Sequence, residues 1–149
     1  MQLSSDKKVI LKQLISWYRD NYHQSSYITV GGYAGTGKTT LTALLRTIIH
    51  KKNPKLKIAF VSYTGKAAQV LQTYLNKVKA VYPQDFVGTI HSLIYTPRVS
   101  KGGVITGWDK KEKLEFDLII IDEASMVSSD IWQDLSSFEI PIMAFGDHG

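Results

Sequence analysis

The sequence contains no cysteine and only 4 prolines among 149 residues. Without cysteine the chain cannot form a disulfide scaffold, a cysteine-ligated zinc site, an iron–sulfur cluster or a thiol nucleophile. Long apolar runs are also missing, since residues 118–121 and 140–145 are far shorter than the roughly 18 to 20 residues of a membrane-spanning helix. Residues 1–8 are polar and lack the apolar segment of a signal peptide. We therefore expect a cytoplasmic protein with no membrane partner.

The composition suits one domain with a slight preference for anionic partners. The length is enough for a single hydrophobic core. The net charge of +5 and the pI near 9.3 reflect an excess of basic residues. Such an excess favours binding to nucleic acid, although many ordinary proteins carry one of this size.

Apolar spacing and turn residues divide the chain into alternating helices and strands. We predict helices at 5–19, 38–50, 66–75, 89–95 and 129–138, and strands at 27–30, 58–62, 118–121 and 141–145. Pro83 lies in a predicted linker, and the glycine-punctuated residues 96–116 form a predicted hairpin outside the core. Four strands that alternate with helices predict an α/β fold whose parallel sheet is covered on both faces.

A glycine-rich segment follows the first predicted strand and opens the next helix. Residues 32–39 read GYAGTGKT and match the Walker A pattern without exception. Glycines there let backbone N–H groups turn toward a phosphate, and a helix N-terminus adds partial positive charge. Lys38 would reach the β- and γ-phosphates and Thr39 would bind Mg²⁺, whereas a plain glycine turn would leave the Lys-Thr pair unexplained. The predicted nucleotide-binding residues are Gly32, Ala34, Gly35, Thr36, Gly37, Lys38, Thr39 and Thr40.

Two carboxylates follow the apolar strand predicted at 118–121. Asp122 and Glu123 would lie at the carboxyl end of that strand, where open parallel sheets bind ligands. Asp122 is placed to hold Mg²⁺ through water, together with Thr39, and Glu123 to orient and deprotonate an attacking water. An acidic pair after a strand is by itself often a solvated loop. Its combination with a Walker A segment predicts a catalytic set of Lys38, Asp122 and Glu123.

Five segments in order resemble successive motifs of superfamily 1 DNA helicases, in particular the RecD-like and phage Dda-like branch. They are residues 31–41, 62–68, 89–94, 120–127 and 145–149. The resemblance implies a P-loop NTPase (RecA-like) fold over residues 1–149, which would be the first motor domain and would stop within motif III. It also implies ATP and Mg²⁺ as cofactors, single-stranded DNA as partner, 5′ to 3′ movement, and a role in DNA replication, recombination or repair.

The resemblance also assigns residues to DNA and to the γ-phosphate. Thr64, Gly65 and Lys66 match the motif that contacts single-stranded DNA, although Thr64 and Gly65 would equally form a plain helix cap. His91 matches a segment beside the DNA path, and a buried histidine is the alternative. Asp147 matches the start of motif III, on the γ-phosphate side, with a strand-ending turn as the alternative.

The hairpin predicted at 96–116 falls where these helicases insert a strand-separating pin. An aromatic ring on a pin can stack on any base. Trp108 or Tyr95 would serve for this, while packing of the tryptophan against the protein is an equal alternative.

The sequence departs from the family in two respects. Lys7 stands where the family has the glutamine that recognises adenine, and lysine offers no acceptor for a two-point contact with the base. A second RecA-like domain, which supplies the arginine finger, is expected but absent from this chain, so we expect nucleotide binding with weak hydrolysis. The alternatives are a noncatalytic nucleotide- or DNA-binding module or helicase remnant, and a small P-loop kinase.

Overall fold

The computed structural model describes residues 5–21, 26–30 and 36–146. Within those ranges helices and strands alternate along the chain. The helices are α1 (Ser5–Asn21), α2 (Thr36–Lys52), α3 (Gly65–Lys77), α4 (Ile90–Ile94) and α5 (Ser129–Ser136). The strands are β1 (Tyr27–Val30), β2 (Ile58–Ser62), β3 (Phe86–Thr89), β4 (Tyr95–Val99), β5 (Ile105–Lys110), β6 (Leu118–Ile121) and β7 (Ile142–Phe145).

Five of these strands form one parallel sheet in the order β1-β7-β6-β2-β3. This arrangement confirms the predicted α/β fold. The expectation of four strands was wrong, because β3 lies within the predicted linker after Pro83. The four residues of β3 include Gly88, and none of them is fully buried. An edge strand this short shows little alternation of apolar and polar residues, and its formation depends on pairing with β2.

All five predicted helices are present, with ends that differ by a few residues. The helix α1 runs past residue 19 to Asn21, and α5 ends at Ser136 rather than at 138. As predicted, α2 ends just before Asn53 and Pro54. Among the described helices, none combines the length and the apolar character that crossing a membrane requires.

Apolar side chains cover both faces of the sheet. On one face, Phe60, Ile120 and Phe145 pack with residues of α1, α2 and α3. On the other face, Val61 and Ile121 pack with residues of α4 and α5. Successive strand residues alternate between the faces, so all four residues of β6 are buried. The predicted two-sided core is confirmed.

The strands β4 and β5 form a separate antiparallel hairpin directly after α4. Tyr95 pairs with Lys110 at its base, and the register shifts between Arg98 and Val99. The hairpin begins one residue before the predicted range of 96–116, and residues 111–117 form no strand. A hairpin insertion is therefore confirmed, with strands shorter than the predicted segment.

Candidate functional site

The carboxyl ends of the parallel strands meet at one edge of the sheet, and α2 begins there after β1. Two hydrogen bonds continue the strand pairing past the strand ends: Asp122 N–H donates to Val61 O at 2.9 Å, and Gly146 N–H donates to Val30 O at 3.1 Å. These bonds fix the positions of Asp122 and Gly146 on the edge where parallel α/β sheets bind ligands.

The structure brings the three predicted catalytic residues together. The Lys38 ammonium lies 3.3 Å from Asp122 Oδ1 and also forms an ion pair with Glu123 Oε1. The Lys38 side chain is only 5% exposed, whereas those of Asp122 and Glu123 are 21% and 47% exposed. One buried cation thus lies between two acidic groups that retain access to solvent.

The acidic pair has unusual electrostatics and backbone geometry. Burial raises the pKa of Asp122, the Lys38 ammonium opposes that shift, and the neighbouring Glu123 charge adds to it. Glu123 has a left-handed backbone with φ of 56°, which is uncommon for a residue with a side chain. This conformation turns the chain sharply after Asp122, so that both carboxylates reach the same lysine.

Gly146 supports this turn, a role that the sequence analysis did not assign. Its φ is +130°, and a Cβ at this position would lie 3.0 Å from the backbone N of Ala124. A larger residue would therefore collide with the turn that follows Glu123. The sequence signal was the glycine directly after an apolar strand, but which backbone it approaches depends on the tertiary structure.

The first turn of α2 carries the part of the Walker A segment that the structure describes. Thr36 and Gly37 open the helix, and the Thr42 hydroxyl donates to the Lys38 carbonyl at 3.1 Å. Thr39 is half-buried, whereas the buried Thr40 hydroxyl lies 3.4 Å from the hydroxyl of Tyr74. The side chain of Thr40 thus packs within the fold. The predicted nucleotide-binding residues outside the described ranges are Gly32, Ala34 and Gly35, and Asp147 lies outside them too.

The donor set beside Lys38 fits a magnesium ion that retains other ligands. Thr39 and Asp122 offer the oxygen donors that Mg²⁺ prefers, and the acidic pair already holds one cation, the Lys38 ammonium. The described residues contain no group of three or more histidines and carboxylates that would enclose a metal. Water and phosphate would have to supply the remaining ligands, as is usual for Mg²⁺ in nucleotide sites.

Two of the segments predicted to bind DNA follow neighbouring strands. Ser62 at the end of β2 pairs with Thr89 at the end of β3. The Thr64 hydroxyl accepts a hydrogen bond of 3.2 Å from Ala67 N–H, so the predicted helix cap is present. Gly65 has open space around its Cα and Lys66 is exposed. The start of α3 therefore presents backbone and a cation to solvent.

His91 lies at the base of the hairpin. Its ring centroid is 4.6 Å from that of Tyr95 and 4.4 Å from that of Trp108. The Tyr95 hydroxyl donates to Asp134 Oδ2, and this hydrogen bond, with burial, raises the pKa of Tyr95 to about 12. Trp108 remains 45% exposed. Of the two candidate stacking residues, Trp108 has the accessible ring and Tyr95 is bound to α5.

Comparison with known proteins agrees with this architecture. A family model described as an AAA domain matches residues 18–148. The RecBCD enzyme subunit RecD of Buchnera aphidicola subsp. Schizaphis graminum is 32% identical over 139 residues, and this match covers 83% of this chain and 22% of the relative. The RecD subunit of Mycobacterium tuberculosis is 30% identical over 114 residues, and this match covers 70% of this chain and 20% of the relative.

A third relative is the RecD subunit of Haemophilus influenzae, which is 31% identical over 119 residues, and this match covers 70% of this chain and 18% of the relative. The chain thus spans about a fifth of the length of these three RecD relatives. The family match covers nearly the whole chain and includes the strands and helices that assemble the Lys38 cluster. The chain belongs to the AAA domain family, as a RecD-like motor domain of the superfamily 1 helicase type.

Proposed function

We propose that this chain is the ATP-binding motor domain of a DNA helicase that couples Mg-ATP hydrolysis to 5′ to 3′ movement on single-stranded DNA. The observation that carries the proposal is the cluster of Lys38, Asp122 and Glu123 at the start of α2. Family membership and the RecD relatives support the same activity. The setting would be DNA replication, recombination or repair.

The Lys38 ion pairs indicate how a nucleotide would enter. Lysine is a flexible point charge, so its ammonium can leave the carboxylates for the β- and γ-phosphates of ATP. Its departure frees Asp122, which with Thr39 would hold Mg²⁺. The metal, when bound, would neutralise phosphate charge. Gly32, Ala34, Gly35, Thr36 and Gly37 would surround the phosphates with backbone N–H groups, and Asp147 would lie on the γ-phosphate side.

Glu123 is the proposed general base. Its carboxylate, the more exposed of the two, would accept a proton from water. That water oxygen bonds to the γ-phosphorus while the bond from the γ-phosphorus to the bridging oxygen breaks and ADP leaves. An arginine from a second RecA-like domain would stabilise the transferring phosphoryl group, and we expect weak turnover without it.

The DNA track would run over the ends of β2 and β3. The backbone N–H groups at Thr64 and Gly65 would bind a phosphate, and Lys66 would add its charge. His91 would line this path beside the hairpin. Trp108, with its exposed ring, would stack on a base at the fork.

The test measures Mg-ATP hydrolysis with and without single-stranded DNA. Glu123→Gln should lower turnover by about 100-fold or more and leave nucleotide binding intact, because positioned general bases contribute about 10²- to 10⁴-fold. Glu115→Gln, which makes the same change at an exposed position before β6, should turn over like the parent. Equal hydrolysis by parent and Glu123→Gln would contradict the assigned base.

Nucleotide binding needs its own variant. Lys38→Ala should abolish binding of a fluorescent ATP analogue, whereas Lys51→Ala, at the exposed far end of α2, should not change it. A parent that binds nucleotide and DNA without turnover, even in the presence of DNA, would instead identify a noncatalytic binding module. A parent that binds no nucleotide would refute the proposal.

A further inference from the structure

One buried polar group beside the site has no partner among the residues that the structure describes. Ser62, the last residue of β2, is fully buried, and its hydroxyl oxygen makes no hydrogen bond within residues 5–21, 26–30 and 36–146. Folded proteins pair most buried hydroxyls, because burial without a partner loses the hydrogen bonds made to water. An unpaired hydroxyl next to a ligand site therefore indicates a partner that arrives with the ligand.

The strand register places Ser62 next to Asp122. Phe60 pairs with Ile120, and the hydrogen bond from Asp122 N–H to Val61 O continues that pairing. Two residues further along, Ser62 stands opposite Asp122 on the next strand, and neighbouring strands lie about 4.8 Å apart.

Both residues also lie on the same face of the sheet. Phe60 and Ile120 belong to the core that packs against α2, and side chains two residues apart share a face. Ser62 and Asp122 are therefore directed to the face from which Lys38 approaches. The register therefore places the hydroxyl beside Asp122, one of the two carboxylates that hold the Lys38 ammonium.

We propose that the Ser62 hydroxyl positions a water molecule in the hydration shell of Mg²⁺, beside Asp122. This inference rests on the proposed Mg-ATP site. Magnesium keeps several waters when it binds between protein and phosphates, and each water must donate its hydrogens to an acceptor. Asp122 alone offers few acceptor positions, and the Ser62 oxygen is a second acceptor on the same face. In the nucleotide-free protein the Lys38 ammonium takes the place of the cation.

The test titrates Mg²⁺ into the full chain in the presence of a fluorescent, nonhydrolysable ATP analogue. Ser62→Ala should raise the Mg²⁺ midpoint about three- to tenfold, the range that the loss of one hydrogen bond implies. Ser62→Cys should raise it similarly, because a thiol keeps the volume but is a weak hydrogen-bonding group. If the Mg²⁺ midpoint rises in Ser62→Ala but not in Ser62→Cys, the cause is a change in packing and the proposal is overturned.

Ser26 supplies a matched control. Its hydroxyl oxygen is also buried without a partner in the described part of the chain, but it lies at the opposite end of the sheet, before β1. Ser26→Ala should leave the Mg²⁺ midpoint unchanged. If Ser26→Ala and Ser62→Ala raise the midpoint equally, the effect is a general one and the proposal is wrong.

Thermal unfolding without Mg²⁺ and nucleotide gives a second readout. Ser62→Ala should unfold at the same temperature as the parent or higher, since it removes an unpaired buried hydroxyl. A lower unfolding temperature would mean that the hydroxyl stabilises the empty protein and would overturn the assignment. A parent without Mg²⁺-dependent binding refutes the proposed function, whereas a binding parent with an unchanged midpoint in Ser62→Ala refutes only the role of Ser62.

Discussion

Opposite charges meet at both ends of the sheet, with different consequences. At the amino-terminal end, the side chains of Arg46 and Asp85 are both fully buried. Arg46 Nε donates to Asp85 Oδ2 at 2.8 Å and Nη2 donates to Oδ1 at 3.0 Å. Asp85 also accepts from the N–H groups of Ile58 and Tyr82, each at 3.1 Å. Two hydrogen bonds and full burial of both side chains hold this pair, which joins α2, β2 and the start of β3.

At the carboxyl end, Lys38 makes single contacts to two carboxylates that remain partly exposed. A lysine ammonium lacks the planar pair of N–H donors with which a guanidinium binds both oxygens of a carboxylate. Its four-carbon side chain also lets the ammonium move. Burial raises the pKa of Asp122, so the charged carboxylate is less stable at this position than in water. A fully buried pair joined by two hydrogen bonds thus serves the fold, whereas a lysine held by partly exposed carboxylates remains open to a ligand.

The largest expected effect follows from breaking the enclosed pair. Asp85→Asn should lower the free energy of unfolding by about 3 to 5 kcal/mol, because it leaves the Arg46 charge buried without its counterion. Chemical denaturation measures this. The exposed pair Arg98 and Asp109 on the hairpin provides the control, since Asp109→Asn should cost about 1 kcal/mol or less. Similar losses in both variants would contradict the distinction between enclosed and exposed pairs.

A smaller effect is expected at the ligand end. Lys38→Met should change the free energy of unfolding of the nucleotide-free protein by about 1 kcal/mol or less, since its partners are partly hydrated and the buried ammonium no longer needs desolvation. Denaturation under the conditions used for Asp85→Asn gives the direct comparison. A loss as large as that of Asp85→Asn would show that the Lys38 ion pairs hold the fold together.

The last prediction concerns the pH dependence of stability and is the subtlest. The pKa of Asp122 in the folded protein is raised from 3.8 by burial, despite Lys38. Protonated Asp122 therefore makes its full contribution to the free energy of unfolding below the pKa of the unfolded state. This contribution is lost as the pH rises through the pKa of the folded state. Without nucleotide and Mg²⁺, Asp122→Asn should gain stability over the parent as the pH rises from about 4. Denaturation across that range checks this, and a difference that shrinks with rising pH would contradict it.

The sequence predicted the elements whose signal is local. The helix that opens at Thr36 and the apolar strand before Asp122 each carry their pattern within a few residues, and both elements occur where predicted. The strand β3 escaped prediction because it is short, contains Gly88 and forms only by pairing with β2. No sequence pattern indicated that the Ser62 hydroxyl would be buried and unpaired, because its surroundings depend on which strand lies next to β2.

The amino-acid sequence by itself determined the α/β alternation, the Walker A pattern and the acidic pair, because periodicity and turn residues act over neighbouring positions. Only the tertiary structure decided that Lys38 forms ion pairs with Asp122 and Glu123. It also decided that Arg46 and Asp85 form a buried ion pair. The same holds for the hydrogen bond of Tyr95 to α5 and for the exposure of Trp108. These contacts join residues far apart in the chain. They arise from sheet order and burial, which the whole set of packed elements determines together.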